Sequence, residues 1–181
     1  YNRGPDSGVV VIKKNMLFGF RRLAIMDTSS MGEQPFHDSD VSVMCNGEIF
    51  NHEHLEHTYN LKCMSKSDCE CIIHLFNKIG FEKMIDTLSG DFALMVNSVS
   101  DKKIWFGRDR IGVRPLFYGF TKDGNFAVAS YARALQDFCG TVNPVPPGWG
   151  YYDISSGEVV LFSYTLPKVR SLKDSVTTEL K

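Results

Sequence analysis

The chain has 181 residues, 43% hydrophobic and 23% charged, with a net charge of -1 from 20 basic and 21 acidic side chains. That length suffices for one domain with a substantial core. The near-neutral balance excludes a general binder of nucleic acid or anionic membrane. No apolar run approaches a membrane span, and no signal-peptide pattern is visible. Cys45, Cys63, Cys69, Cys71 and Cys139 are odd in number and lack framework spacing, which predicts a reducing, cytoplasmic compartment.

Taken in chain order, strand-like runs cover 9–12, 17–25 and 41–45. A short helix is expected over 53–58. Ser67-Asp68-Cys69-Glu70 then fits a capping box, with Ser67 as N-cap and Glu70 reaching back to it. Cys69, Ile72, Ile73 and Phe76 follow at i, i+3, i+4, i+7 and form one apolar stripe. Gly80 is expected to stop that helix, and Phe81, Met84, Ile85 and Leu88 repeat the period. Further strands are expected over 92–96, 104–106, 116–120, 126–129 and 159–162, several joined by hairpin-like turns. The run 143–148, rich in proline, reads as a rigid turn before a last strand pair. Grouped helices and consecutive strands predict α+β layers, not alternating βαβ units. The basic residues Lys102, Lys103, Arg108, Arg110 and Arg114, interrupted by Asp109, read as a solvated hairpin rim.

Five positions could carry chemistry. Asn46-Gly47 is first of all a hairpin signal. Its functional reading needs the Asn46 side-chain N–H and the Gly47 backbone N–H to converge on the oxyanion of an attacked carboxamide. Arg22 beside an apolar run is an ordinary surface or ion-pair residue unless it lies in a pocket. There its planar fork would grip an α-carboxylate. Asp68, in a first helical turn, is explained by the helix dipole alone, yet an ionised carboxylate there could also hold an α-ammonium, with Glu48 joining it. One cation and one anion together suit a zwitterionic substrate. His52, His54 and His57 lack the further ligands of a metal site, and none is expected. No Ser-His-Asp set, phosphate loop or CxxC pair is evident.

The ordered series Arg3-Gly4-Pro5-Asp6, Arg22-Leu23-Ala24-Ile25 with Asp27, Gln34-Pro35, Asn46-Gly47-Glu48-Ile49-Phe50-Asn51-His52, Ser67-Asp68-Cys69-Glu70, Leu88-Ser89-Gly90-Asp91-Phe92-Ala93 and Gly107-Arg108-Asp109-Arg110-Ile111-Gly112-Val113-Arg114-Pro115-Leu116 resembles the class II glutamine amidotransferase domain. Within that class it is most similar to the glutaminase domain of glutamine-hydrolysing asparagine synthetases. The resemblance runs over residues 1–164 and leaves 165–181 as an expected linker towards a synthetase domain.

The resemblance implies an N-terminal-nucleophile hydrolase fold, a four-layer αββα sandwich of two antiparallel sheets. It implies that Arg22 binds the glutamine carboxylate and that Leu23, Ala24, Ile25 and Met26 form the strand lining that pocket. Asn46 and Gly47 match the oxyanion hole, Glu48 a glutamine contact, and Asp68 the receptor of the α-ammonium. The implied partners are L-glutamine, an ATP- and magnesium-using synthetase domain of the same protein, and a second copy in a homodimer. No cofactor is expected in this domain.

The family's nucleophile is a cysteine at the mature N-terminus, which the resemblance puts upstream of Arg3. The chain starts at Tyr1 inside a turn signal and is therefore expected to be a fragment without glutaminase turnover of its own. Two alternatives stay open at this point. One is a related amidotransferase with another acceptor. The other is a non-catalytic module that binds an amino acid or a partner.

Overall fold

A computed structural model describes residues 4–164; Arg3 and the expected linker 165–181 lie outside the described residues. Three antiparallel sheets are present. The largest has strand order β11-β10-β6-β5-β4-β3, formed by β3 (Phe36–His37), β4 (Val41–Ile49), β5 (Gly90–Ser98), β6 (Lys103–Arg108), β10 (Gly148–Asp153) and β11 (Glu158–Ser163). A hairpin of β1 (Ser7–Lys13) and β2 (Met16–Arg22) forms the second. The third, in order β8-β7-β9, consists of β7 (Phe117–Thr121), β8 (Phe126–Ala129) and β9 (Cys139–Pro144).

Two apolar cores lie on opposite faces of the large sheet, and β5 shows why. Phe92, Leu94 and Val96 point into one cluster with helices α1 (His52–Tyr59) and α2 (Cys71–Thr87). Ala93 and Met95 point into the other, with Phe18, Phe106, Leu116 and Val145. Alternate side chains of a strand face opposite sides, so a strand covered on both faces reads as a continuous apolar run. The layers are therefore helices, large sheet, and a second β-layer built from the other two sheets. A four-residue helix, α3 (Arg133–Gln136), packs on β8 and β9. This is the expected α+β arrangement of packed antiparallel sheets.

The apolar stripe of α2 is as expected: Ile72, Ile73 and Phe76, then Phe81, Met84 and Ile85, are all buried. Gly80 interrupts the helix with φ 75° and ψ 167°, a conformation that costs little without a Cβ. The capping box does not form. Ser67 makes no side-chain cap, and a 3-10 turn, Asp68–Glu70, precedes α2. Glu70 instead accepts from the backbone N–H groups of Met64 at 2.8 Å and Ser65 at 2.6 Å. The expected basic rim is solvated only in part: Lys102 and Arg110 are exposed, whereas Arg108 and Arg114 are held by the protein. The Arg108 guanidinium donates to the carbonyls of Arg114, Val145 and Gly112, and Arg114 pairs with Asp91 at 2.9 Å. Three carbonyls converging on one planar fork outweigh solvation of that side chain.

Phe106 joins the two β-layers: its ring is fully buried and stacks on Tyr118 and Phe126 at 6.1 and 5.7 Å. Replacing Phe106 by Ala should lower unfolding stability by about 3–5 kcal/mol, measured by denaturant titration of this chain. A loss below about 1 kcal/mol would mean that the core closes over the gap.

Candidate active site

The Asn46-Gly47 pair does not make a hairpin. β4 runs straight through it to Ile49, in continuous register with β5 from Val41↔Ser98 to Ile49↔Gly90. Gly47 adopts φ 146°, and a Cβ there would lie 1.9 Å from the Asp91 carbonyl oxygen and 2.7 Å from Phe92 Cα. Glycine is thus required by the close approach of the neighbouring strand.

β3 pairs only with Ser42 and Val43, so the rest of that edge of β4 has no strand beside it among the described residues. Side chains take the ladder positions. The Gln34 amide receives the Cys45 N–H at 2.6 Å and donates to the Cys45 carbonyl at 3.1 Å. Asp68 Oδ2 accepts the Ile49 N–H at 2.6 Å. Gly47 lies between these two props. Its partner on β5, Phe92, directs both N–H and C=O to Asp109. Gly47↔Phe92 is therefore a non-hydrogen-bonded pair, and the polar groups of Gly47 face the open edge. Its carbonyl there meets the Cys69 thiol at 3.7 Å.

Asn46 and Glu48 share the face of β4 that carries Met44, away from α2. The Asn46 Nδ2 is buried and has no hydrogen-bond partner among the described residues. An amide N–H held away from water without an acceptor costs about 1–3 kcal/mol. Such an orphan beside an open-edge glycine is a place where a carbonyl oxygen would be bound. The ordinary meaning of the dipeptide, a turn, does not apply here.

Asp68 is buried, and its second oxygen has no partner among the described hydrogen bonds or ion pairs. Arg22 is also buried, at the end of β2. Its guanidinium donates to the carbonyls of Ser29, at 2.6 Å, and Asp27. No carboxylate among the described residues lies within ion-pair distance of it. A buried cation and a buried anion, neither in an ion pair among the described residues, gain from a ligand that pairs with both.

Leu23, Ala24, Ile25 and Met26 are not a strand, contrary to expectation. β2 ends at Arg22, and Leu23, Ile25 and Met26 are exposed. The Ala24 N–H is taken by the Asp6 carboxylate at 2.7 Å, and the fold of Arg22 onto the 27–29 turn draws the chain away from the sheet.

Residues with no assigned role on sequence grounds turn out to build this region. Asp27 Oδ1 accepts from the Ser29 N–H and hydroxyl at 2.8 and 2.7 Å, and Oδ2 accepts the Lys66 N–H at 2.8 Å. The Ser29 hydroxyl, followed by the Lys66 and Ser29 N–H groups, pulls the Asp27 carboxyl down to about 2. Glu70 is also held below the usual carboxylate range. Burial opposes its ionisation, but the Ser65 hydroxyl and the N–H groups of Met64 and Ser65 outweigh it. A cleft of about 340 Å³ opens between the two loops so joined, lined by Met26, Asp27, Thr28, Ser29, Met31, Met64, Ser65 and Lys66. The signals for these roles were the Asp27 and Gln34-Pro35 motifs, whose donors and acceptors only the fold reveals.

The five cysteines are free thiols. Burial pushes Cys63 up to about 12 and raises Cys71. A hydrogen bond with Cys45, then burial, holds Cys69 well above its usual value. Burial also raises Cys139. Such thiols have little thiolate at neutral pH and are poor nucleophiles.

Comparison with known proteins bears on the fold and the family. The fold superposes on glutamine phosphoribosylpyrophosphate amidotransferase from B. subtilis with a TM-score of 0.66 over 82% of this chain and 35% of that one, at 21% identity. A glutamine aminotransferase class-II domain protein from Silicibacter pomeroyi matches with a TM-score of 0.56 over 88% of this chain and 91% of its own, at 13% identity. These likenesses define the fold, a sandwich of the N-terminal-nucleophile hydrolase type. The model of the glutamine amidotransferase domain family matches residues 1–146, and the chain belongs to that family.

Among relatives, a probable asparagine synthetase [glutamine-hydrolyzing] of Acanthamoeba polyphaga mimivirus is 40% identical over 152 residues, 81% of this chain and 28% of its own length. The asparagine synthetase [glutamine-hydrolyzing] of Bos taurus is 39% identical over 149 residues, 79% of this chain and 26% of its own. The chain thus spans about a quarter of the length of these relatives.

In the folded chain, Cys63, Cys69, Cys71 and Cys139 should react with an aromatic disulfide reagent at pH 7.5 at least about 100-fold more slowly than free cysteine, and promptly after denaturation. Rapid stoichiometric labelling of any of the four in the native state would contradict the described environment.

Proposed function

We propose that this chain is the glutamine-hydrolysing part of an asparagine synthetase, releasing ammonia from the side-chain amide of L-glutamine. The observation that carries the reading is the buried Asn46 Nδ2, unpartnered among the described residues, beside Gly47 on the open edge of β4. It is what an oxyanion hole needs before its substrate arrives: two fixed N–H donors that pay no reorganisation when charge develops. Arg22 and Asp68, neither with an ion-pair partner among the described residues, support it further, because a free amino acid supplies one carboxylate and one ammonium.

In this mechanism the Arg22 fork takes the α-carboxylate and Asp68 the α-ammonium, with Glu48 as a further contact. Leu23, Ala24, Ile25 and Met26 border the bound amino acid from the segment after β2. A thiolate attacks the amide carbon, forming a carbon–sulfur bond and an oxyanion held by Asn46 and Gly47. The carbon–nitrogen bond then breaks and the nitrogen leaves, protonated, as ammonia. Water cleaves the γ-glutamyl thioester, giving glutamate and the free thiol.

The buried internal thiols suit this role poorly, so the nucleophile in this reading is an N-terminal cysteine of the whole protein, with its own α-amine as base. The ammonia is used by a separate synthetase domain, with ATP and magnesium, to convert aspartate to asparagine. The glutaminase reaction itself calls for no cofactor. A second copy of the protein is the proposed homodimer partner. The free cysteines suit a reducing, cytosolic setting. Among the described residues no helix is long and apolar enough to cross a membrane.

The test uses the whole protein with two nitrogen sources. Asn46→Ala should lower glutamine-dependent turnover by about 10²–10³-fold with a much smaller change in KM. Arg22→Ala should raise the KM for glutamine by about 10–100-fold, while synthesis fuelled by free ammonia, which bypasses the site, continues. Unchanged turnover in the first variant removes Asn46 from the oxyanion hole. Equal loss with glutamine and ammonia in the second removes Arg22 from glutamine binding.

A further inference from the structure

We infer that Asp27 is a positioning residue for glutamine: its carboxylate latches the turn that holds Arg22 to the loop that leads into Asp68, and so fixes the spacing of the two charge receptors. The inference rests on the glutamine reading above and adds to it a residue that contacts no substrate.

The geometry is specific. Asp27 and Ser29 supply the two carbonyls that orient the Arg22 guanidinium. The Asp27 carboxylate closes that turn on itself through the Ser29 N–H and hydroxyl. Its other oxygen crosses to the Lys66 N–H, 39 residues along the chain and two residues before Asp68. On the far side of that link, Glu70 grips the N–H groups of Met64 and Ser65, and Asp68 is pinned to the Ile49 N–H on β4. The path from cation to anion therefore runs Arg22, turn 27–29, Asp27 carboxylate, loop 64–66, Asp68. Its only side-chain crossing between the two loops is Asp27 Oδ2 to Lys66 N, among the described hydrogen bonds.

Several features separate this arrangement from a general structural bond. Asp27 already accepts three hydrogen bonds, which leaves it poorly placed to receive the substrate ammonium and gives that role to Asp68. It lies outside both apolar cores, so losing the link should loosen the two loops without opening the sandwich. A substrate gripped at both charged ends is sensitive to their separation, since a misplacement of about 1 Å can cost on the order of 10²-fold.

The decisive variant is Asp27→Asn, which keeps the shape but sets an amide N–H₂ or a single oxygen where two acceptors are needed. In the whole protein the KM for L-glutamine should rise by about 10–100-fold while kcat at saturating glutamine falls less than about fivefold. Amide hydrogen exchange at Lys66 should accelerate, with exchange in α2 unchanged. A glutamine KM within twofold of the parent overturns the latch while leaving the glutaminase reading intact. No glutamine hydrolysis by the unmutated protein overturns the reading itself, and the latch with it. Should Asp27→Asn fail to fold, Ser29→Ala removes one donor from the turn. A three- to tenfold rise in KM then supports the latch, and an unchanged KM overturns it.

Discussion

The site depends on how one unfinished edge of a β-strand is satisfied. Beyond Val43, β4 has lost its neighbour β3. Backbone groups left unpaired inside a protein are costly, and the chain answers with side chains. Gln34 imitates a strand at Cys45, and Asp68 takes the N–H of Ile49. Between them, among the described residues, Gly47 presents its polar edge without a strand partner, and Asn46 carries an amide N–H with no acceptor. Two substituted ladder positions thus frame one that is kept for something else.

That edge is rigid because of what lies behind it. β4 is backed by β5 along its full length, and β5 is buried on both faces by two separate cores. Backbone donors fixed on a packed sheet are the kind of preorganised dipole that stabilises developing charge. The proposed charge receptors are Arg22, at the end of β2, and Asp68, bonded to the Ile49 N–H of β4, and strand pairing does not hold the loops around them. Hydrogen-bonded carboxylates do that work instead: Asp6 at Ala24, Asp27 at Ser29 and Lys66, and Glu70 at Met64 and Ser65. In the proposed function the site thus combines a stiff half for chemistry with a hydrogen-bonded half for recognition.

Much of the fold was legible because its signals are periodic. The stripe of Ile72, Ile73, Phe76, Met84 and Ile85 required a helix against a core, and Gly80 marked its interruption. The apolar run of β5 required a doubly covered strand. β9 carried too little pattern to be read, since Gly140, Asn143 and Pro144 lack strand character. Local chemistry misled where a tertiary partner offered more. Glu70 abandoned the capping box for the 64–65 loop, Arg108 left solvent for three carbonyls, and β2 stopped at Arg22 once its guanidinium found the 27–29 turn. At Asn46-Gly47 the dipeptide indicated a turn, whereas the crowding of Gly47 against Asp91 and Phe92 shows why a glycine is needed within a strand.

The most direct test is a crystal structure of this chain with L-glutamine bound. The account predicts the carboxamide oxygen within about 3.2 Å of both Asn46 Nδ2 and the Gly47 nitrogen, with the α-carboxylate on Arg22 and the α-ammonium on the second oxygen of Asp68. Glutamine bound away from the edge of β4, with Asn46 Nδ2 still lacking an acceptor, would contradict it.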